Sequence, residues 1–124
     1  MSAVEQALEE LAALVAPRGQ EVLDRLARVE VTAETELRVG AVLRREYPVE
    51  LVTAALGQHE LRRRAQGKFT RAQRMFFTRA GLEQASSEVI AEHRARRFAG
   101  AVRVADLCCG IGGDLLALGG QREV

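Results

Sequence analysis

The chain has 124 residues, 48% of them hydrophobic and 28% charged, which suffices for a packed domain and is too apolar for a disordered one. The net charge of +1 conceals a segregation: residues 1–60 hold eleven acids and six bases, residues 61–103 three acids and eleven bases, and residues 104–124 three acids and one base. The basic middle block is therefore expected to face something anionic, or to dock on the acidic first half.

With no Trp, four Phe and only two prolines, the Ala-, Leu- and Val-rich composition favours helix. Ser2 and Glu5 make a capping box, and Val4, Leu8, Leu11 and Val15 recur at helical spacing up to Pro17. Gly19 is expected to break the chain before a short second helix carrying Val22, Leu23, Leu26 and Val29. Thr32 can cap a third helix, with Glu34 and Glu36 in its first turn and its end near Tyr47. Pro48 suits the first position of a fourth, which turns Leu51, Val52, Ala55 and Leu56 inward and runs on through Arg62, Arg63 and Arg64 to Gly67. Residues 1–67 are thus expected to form an N-terminal helical bundle.

Residues 68–100 read as a basic and aromatic connector followed by a helix. Between Lys68 and Arg79, bases interleave with Phe69, Phe76 and Phe77. Such alternation can track a phosphate backbone and stack bases, with Arg62, Arg63, Arg64, Lys68, Arg71 and Arg74 as the candidate contacts. Burial of the phenylalanines in the next core is the competing expectation. Ser86 or Ser87 can cap a helix through Val89, Ile90, Ala95 and Phe98, whose outer face holds Arg94, Arg96 and Arg97, and Gly100 closes it. His93 has no partner at metal-ligand spacing, and the adjacent Cys108 and Cys109 can neither staple distant segments nor complete a metal set, so no metal is expected. No signal-peptide pattern opens the chain and no apolar run approaches a membrane span. A cytoplasmic protein with no membrane partner is the expectation.

From residue 101 the pattern changes. The run Val104 to Leu107 has strand character, Gly110, Gly112 and Gly113 follow as a turn, and Leu115 to Leu118 resume helical spacing: strand, glycine turn and helix, the first half of a βαβ unit. Glycines let the main chain touch a ligand, a helix starting near Gly113 would aim N–H groups at its negative end, and Asp106 could hold a cationic amine. A zwitterionic, amino-acid-containing cofactor fits that arrangement. A dinucleotide fingerprint fails because Leu115 stands where a small residue is needed, and a phosphate loop fails because Asp114 follows Gly113.

The segment Val104-Ala-Asp-Leu-Cys-Cys-Gly-Ile-Gly-Gly-Asp114 resembles motif I of class I S-adenosylmethionine-dependent methyltransferases, with Cys108 in place of the first glycine, as in the trimethylguanosine-synthase-like branch. The lead-in from Met75 to His93 is similar to what precedes that branch's motif, and residues 37–118 as a whole resemble actinobacterial-type methyltransferases that end in a THUMP-like domain. The resemblance implies S-adenosylmethionine as cofactor, bound by Asp106, Cys108, Cys109, Gly110, Gly112 and Gly113, with Gln84, Ser86 and Ser87 as further candidates. It implies a mostly α chain whose residues 101–124 begin a Rossmann-like α/β domain, with RNA the expected substrate and partner. A non-catalytic helical nucleic-acid-binding module is the rival expectation. Arg122-Glu123-Val124 read as the opening of a second strand, and the ribose-binding acid, the substrate motif and the catalytic residues are expected beyond it, in the same gene or a separate chain. Without them the 124 residues are expected to transfer no methyl group.

Overall fold

The Ser2 hydroxyl accepts from the Glu5 N–H at 3.2 Å while the Glu5 carboxylate accepts from the Ser2 N–H at 2.6 Å. This reciprocal cap opens α1 (Ala3–Val15) in the computed structural model, which describes residues 2–120. Hydrogen bonds from Ser2, first from its backbone N–H and then from its side chain, hold the Glu5 carboxyl below its ordinary range. A single residue, Ala16, separates α1 from α2 (Pro17–Ala27), which starts on Pro17 because a first-turn residue needs no N–H donor. Gly19 does not break the chain as expected. It lies inside α2, buried, where the missing side chain lets the two helices meet at their corner.

Thr32 and Thr35 pair with each other, each hydroxyl accepting from the other's N–H at 2.9 and 3.3 Å, so the third helix begins after them. It is also shorter than expected: α3 (Glu36–Leu43) stops before Tyr47. Arg25 of α2 binds the Glu46 carboxylate at 2.6 Å and stacks its guanidinium on Tyr47, 5.6 Å from the ring centre. The hydrogen bond from Arg25 holds the Glu46 carboxyl below its ordinary range. α4 (Val49–Ala65) follows Pro48 directly. Val22, Leu23 and Leu26 from α2 and Val52 and Ala55 from α4 are among the buried side chains of this part of the chain. Only Leu14 of α1 is buried, and the stripe of Val4, Leu8, Leu11 and Val15 lies in solvent.

The chain divides after Glu60 into two compact units. The reason is local: Ala65 from the last turn of α4 belongs to a core with Phe69, Ala72, Phe77 and Leu82, against which Leu61 packs. In this second unit a 3-10 turn (Ala72–Arg74) precedes α5 (Arg79–Gln84), where the Thr78 hydroxyl accepts from the Gly81 N–H at 3.0 Å. α6 (Glu88–Ala95) passes into a second 3-10 turn (Arg96–Phe98) and packs on α7 (Gly113–Gly119). α6 buries Ala91 and Ala95, whereas Val89, Ile90 and Phe98 are exposed.

The chain is mostly helical, and no strand forms among the described residues. The strand expected at 102–107 is an irregular segment in which only Arg103 makes a bridge of strand type, and Leu107 is 91% exposed. A parallel strand is held by ladder hydrogen bonds to neighbours, and the described residues supply no neighbouring strand. The β–α unit read from the sequence is thus reduced to its turn and its helix. The second strand expected from Arg122 lies outside the described residues. Among those residues no helix is long and apolar enough to cross a membrane.

Candidate functional site

The turn after Leu107 is built from its glycines. Gly110 has φ +56° and Gly112 φ +83°, left-handed angles that a side chain resists, and no other residue among those described has positive φ. The Gly112 N–H donates to the Cys109 carbonyl at 2.8 Å, closing the turn, and α7 starts at the next residue. Behind it lies the aromatic core. A methyl at Gly113 would stand 3.5 Å from the Phe69 ring, and one at Gly81 would strike Ile111 at 2.3 Å. Phe69, 3% exposed and 5.8 Å from the Phe77 ring centre, is the floor on which the turn rests.

Beside the turn is an open cavity of about 440 Å³, within the rough 300–1,000 Å³ of small-ligand sites. Asp106, Cys108, Arg94, Phe98, Asp114 and Leu118 are among its walls. The Asp106 Oδ1 accepts from the Cys108 N–H at 3.3 Å, which ties the carboxylate to the backbone entering the turn. Arg94 donates to both oxygens of Asp114 at 3.2 Å. Both side chains are about half exposed, so the pair is worth roughly 0–1 kcal/mol and serves to fix charge at the cavity more than to hold the fold. Arg94 is exposed, as expected of the outer face of its helix. Its turn toward Asp114 is a contact across twenty residues that no periodicity announces.

The predicted cofactor residues divide. Asp106 and Cys108 line the cavity; Cys109, Gly110, Gly112 and Gly113 shape the adjoining turn without lining it. Cys108 and Cys109 are exposed free thiols. Gln84 is exposed, and Ser86 and Ser87 are half-buried; none of the three lines the cavity, though the Ser86 carbonyl is 3.9 Å from the Cβ position of Gly113. Residues 7–65 match the model of a family described as a domain of unknown function, DUF8688. No curated protein and no solved structure matches the chain. The match runs from α1 to the end of α4, so the turn and its cavity lie outside it.

The six candidate nucleic-acid contacts also divide. Arg62 is 5% exposed, donates from Nε to the Met75 carbonyl at 2.8 Å, and places its guanidinium 4.7 Å from the Phe76 ring centre. Lys68 donates to the carbonyls of Leu82 and Ala85 at 2.7 and 2.8 Å, capping the end of α5. Arg64 approaches Glu83 at 3.8 Å, and Arg63, Arg71 and Arg74 are exposed. Phe69 and Phe77 face the core, so no stacking row of phenylalanines is presented. Arg62→Ala is accordingly expected to lower unfolding stability by ~1.5–3 kcal/mol in a urea titration, through the lost charged hydrogen bond. Arg71→Ala, at an exposed site, is expected to change it by under ~0.5 kcal/mol.

Proposed function

We propose that residues 61–120 carry the S-adenosylmethionine-binding turn of a methyltransferase. The observation that supports this most is the coincidence of two left-handed glycines with a backbone-tethered carboxylate, Asp106, on the wall of a cavity of small-ligand size. The residues present suit the cofactor's methionine part. Asp106, whose second oxygen has no partner among the described residues, would take the ammonium. Gly110 has nothing within 4 Å of its Cβ position, so its backbone is open to close approach. When bound, the cofactor supplies an electrophilic sulfonium methyl. Exclusion of water from that methyl would fall to Leu118 and Phe98.

RNA is the proposed substrate class, on the strength of the exposed arginines at 71, 74, 96 and 97. Salt-sensitive RNA binding that weakens on neutralising Arg71 and Arg74 supports that part; Arg62 and Lys68 are unsuitable for the test, because their removal disturbs the core.

Calorimetric titration with S-adenosylmethionine and S-adenosylhomocysteine tests the cofactor. Saturable binding is expected, weakened roughly tenfold to a hundredfold by Asp106→Ala, the loss of one charged hydrogen bond. Gly110→Val is expected to abolish it by refusing the left-handed angle. A folded wild-type chain that takes up neither compound at millimolar concentration rules the assignment out.

A further inference from the structure

The first unit carries two unpartnered apolar features that suit each other. On α1, Val4, Leu8, Leu11 and Val15 follow one another at the spacing of a single helical stripe, and each is between 43% and 70% exposed. The helix that bears them also carries Glu5, Glu9 and Glu10 and no base. Between α2 and α3 lies an apolar groove of about 250 Å³ walled by Leu26, Val29, Val39 and Val42, with Arg25 and Arg38 as its charged members and no acid. Such a groove is smaller than a typical small-ligand pocket, roughly 300–1,000 Å³, and better matched to aliphatic side chains presented by a helix. Arg38 makes no ion pair among the described residues, and Arg25 is held at the rim by Glu46.

We infer that α1 of one copy of this chain docks its Val4–Val15 stripe into the α2–α3 groove of a second copy, and reciprocally, so that the protein is a two-fold dimer. The stripe cannot serve its own groove while it stands in solvent on a helix joined to α2 by Ala16 alone. A second copy brings an acidic helix to a groove where Arg25 is already paired with Glu46 and Arg38 is the charge left for it, and desolvates apolar surface on both sides. Because one surface donates and a different one receives, two copies exchanging helices satisfy both and leave neither exposed. The contact is independent of the cofactor turn, which lies in the other unit.

Sedimentation equilibrium of the 124-residue chain, from low-micromolar to submillimolar concentration, tests it. A monomer–dimer equilibrium is expected, weakened by salt through the Arg38 contribution. Leu8→Glu/Leu11→Glu in the stripe and Val42→Glu in the groove are all at exposed positions, and unchanged far-UV circular dichroism checks that the variants fold. Each variant is expected to be monomeric alone. Mixed, they retain one intact stripe and one intact groove, and are expected to form a heterodimer through a single contact. Arg38→Glu is expected to raise the dissociation constant by on the order of tenfold. A wild-type chain monomeric at every concentration overturns the inference. So does a groove variant that still dimerises, since α1 would then be pairing with α1.

Discussion

Replacing Phe69 with Ala is expected to remove ~3–5 kcal/mol of unfolding stability, a large fraction of what a small domain has. The ring is 3% exposed and lies in one cluster with Ala65, Ala72, Phe77 and Leu82, so its loss opens a cavity that these neighbours, carried by three different elements and the segment between two of them, cannot all move to fill. The same substitution removes the surface behind Gly113, whose Cβ position is 3.5 Å from the ring. Two readouts should therefore move together: the midpoint of urea unfolding, and amide exchange across residues 109–113, which is expected to accelerate even under conditions where the fold is intact. Phe76→Ala is the control. That ring is half-buried and faces the Arg62 guanidinium, outside the cluster, so it should lower stability less and leave exchange in the turn unchanged. If Phe69→Ala lowers stability by less than ~1 kcal/mol, the ring is not the floor of the turn.

Local chemistry was legible in the sequence where it acts over three or four residues. The Ser2–Glu5 box, the Pro17 and Pro48 boundaries and the glycine turn at 110–113 all involve groups that meet through the nearby backbone. What failed were inferences from residue type to environment. Arg62 and Lys68 read as candidate phosphate contacts because they stand in a basic, aromatic stretch, yet each reaches a carbonyl more than ten residues away. Arg94 does lie on an exposed face, but its pairing with Asp114 has no local signal. The stripe on α1 is legible as an apolar helical face, but periodicity identifies such a face and not what covers it. The strand at 104–107 was inferred from an apolar run, whereas a strand exists only with a partner, and that information is not in the run itself. For the cavity, Asp106 and Cys108 were singled out through the motif that contains them. Phe98 and Leu118, brought to the same walls by the packing of α6 on α7, left no signal of their own.

Gly19→Ala and Gly57→Ala should change stability in opposite directions, although both glycines lie within helices. On helix propensity alone, each substitution favours the folded state by up to ~1 kcal/mol, since glycine loses more backbone entropy on folding than alanine. At Gly57 nothing lies within 4 Å of the added methyl, so propensity acts unopposed and Gly57→Ala is expected to raise stability by ~0.5–1 kcal/mol. At Gly19 the methyl would stand 2.2 Å from the Ala13 oxygen, 2.5 Å from the Leu14 oxygen and 2.6 Å from the Leu14 Cα. All three are backbone atoms, so no rotamer change relieves the clash and α1 must lift from α2. Lifting also draws the Leu14 carbonyl from the Gln20 side-chain amide that donates to it at 2.8 Å. Overpacking of this kind outweighs propensity, and Gly19→Ala is expected to lower stability by ~1–3 kcal/mol. Paired urea titrations with equal slopes decide the matter: a neutral or stabilising Gly19→Ala would mean that the corner between α1 and α2 is not closed as described, and that the presentation of the α1 stripe is not fixed by it.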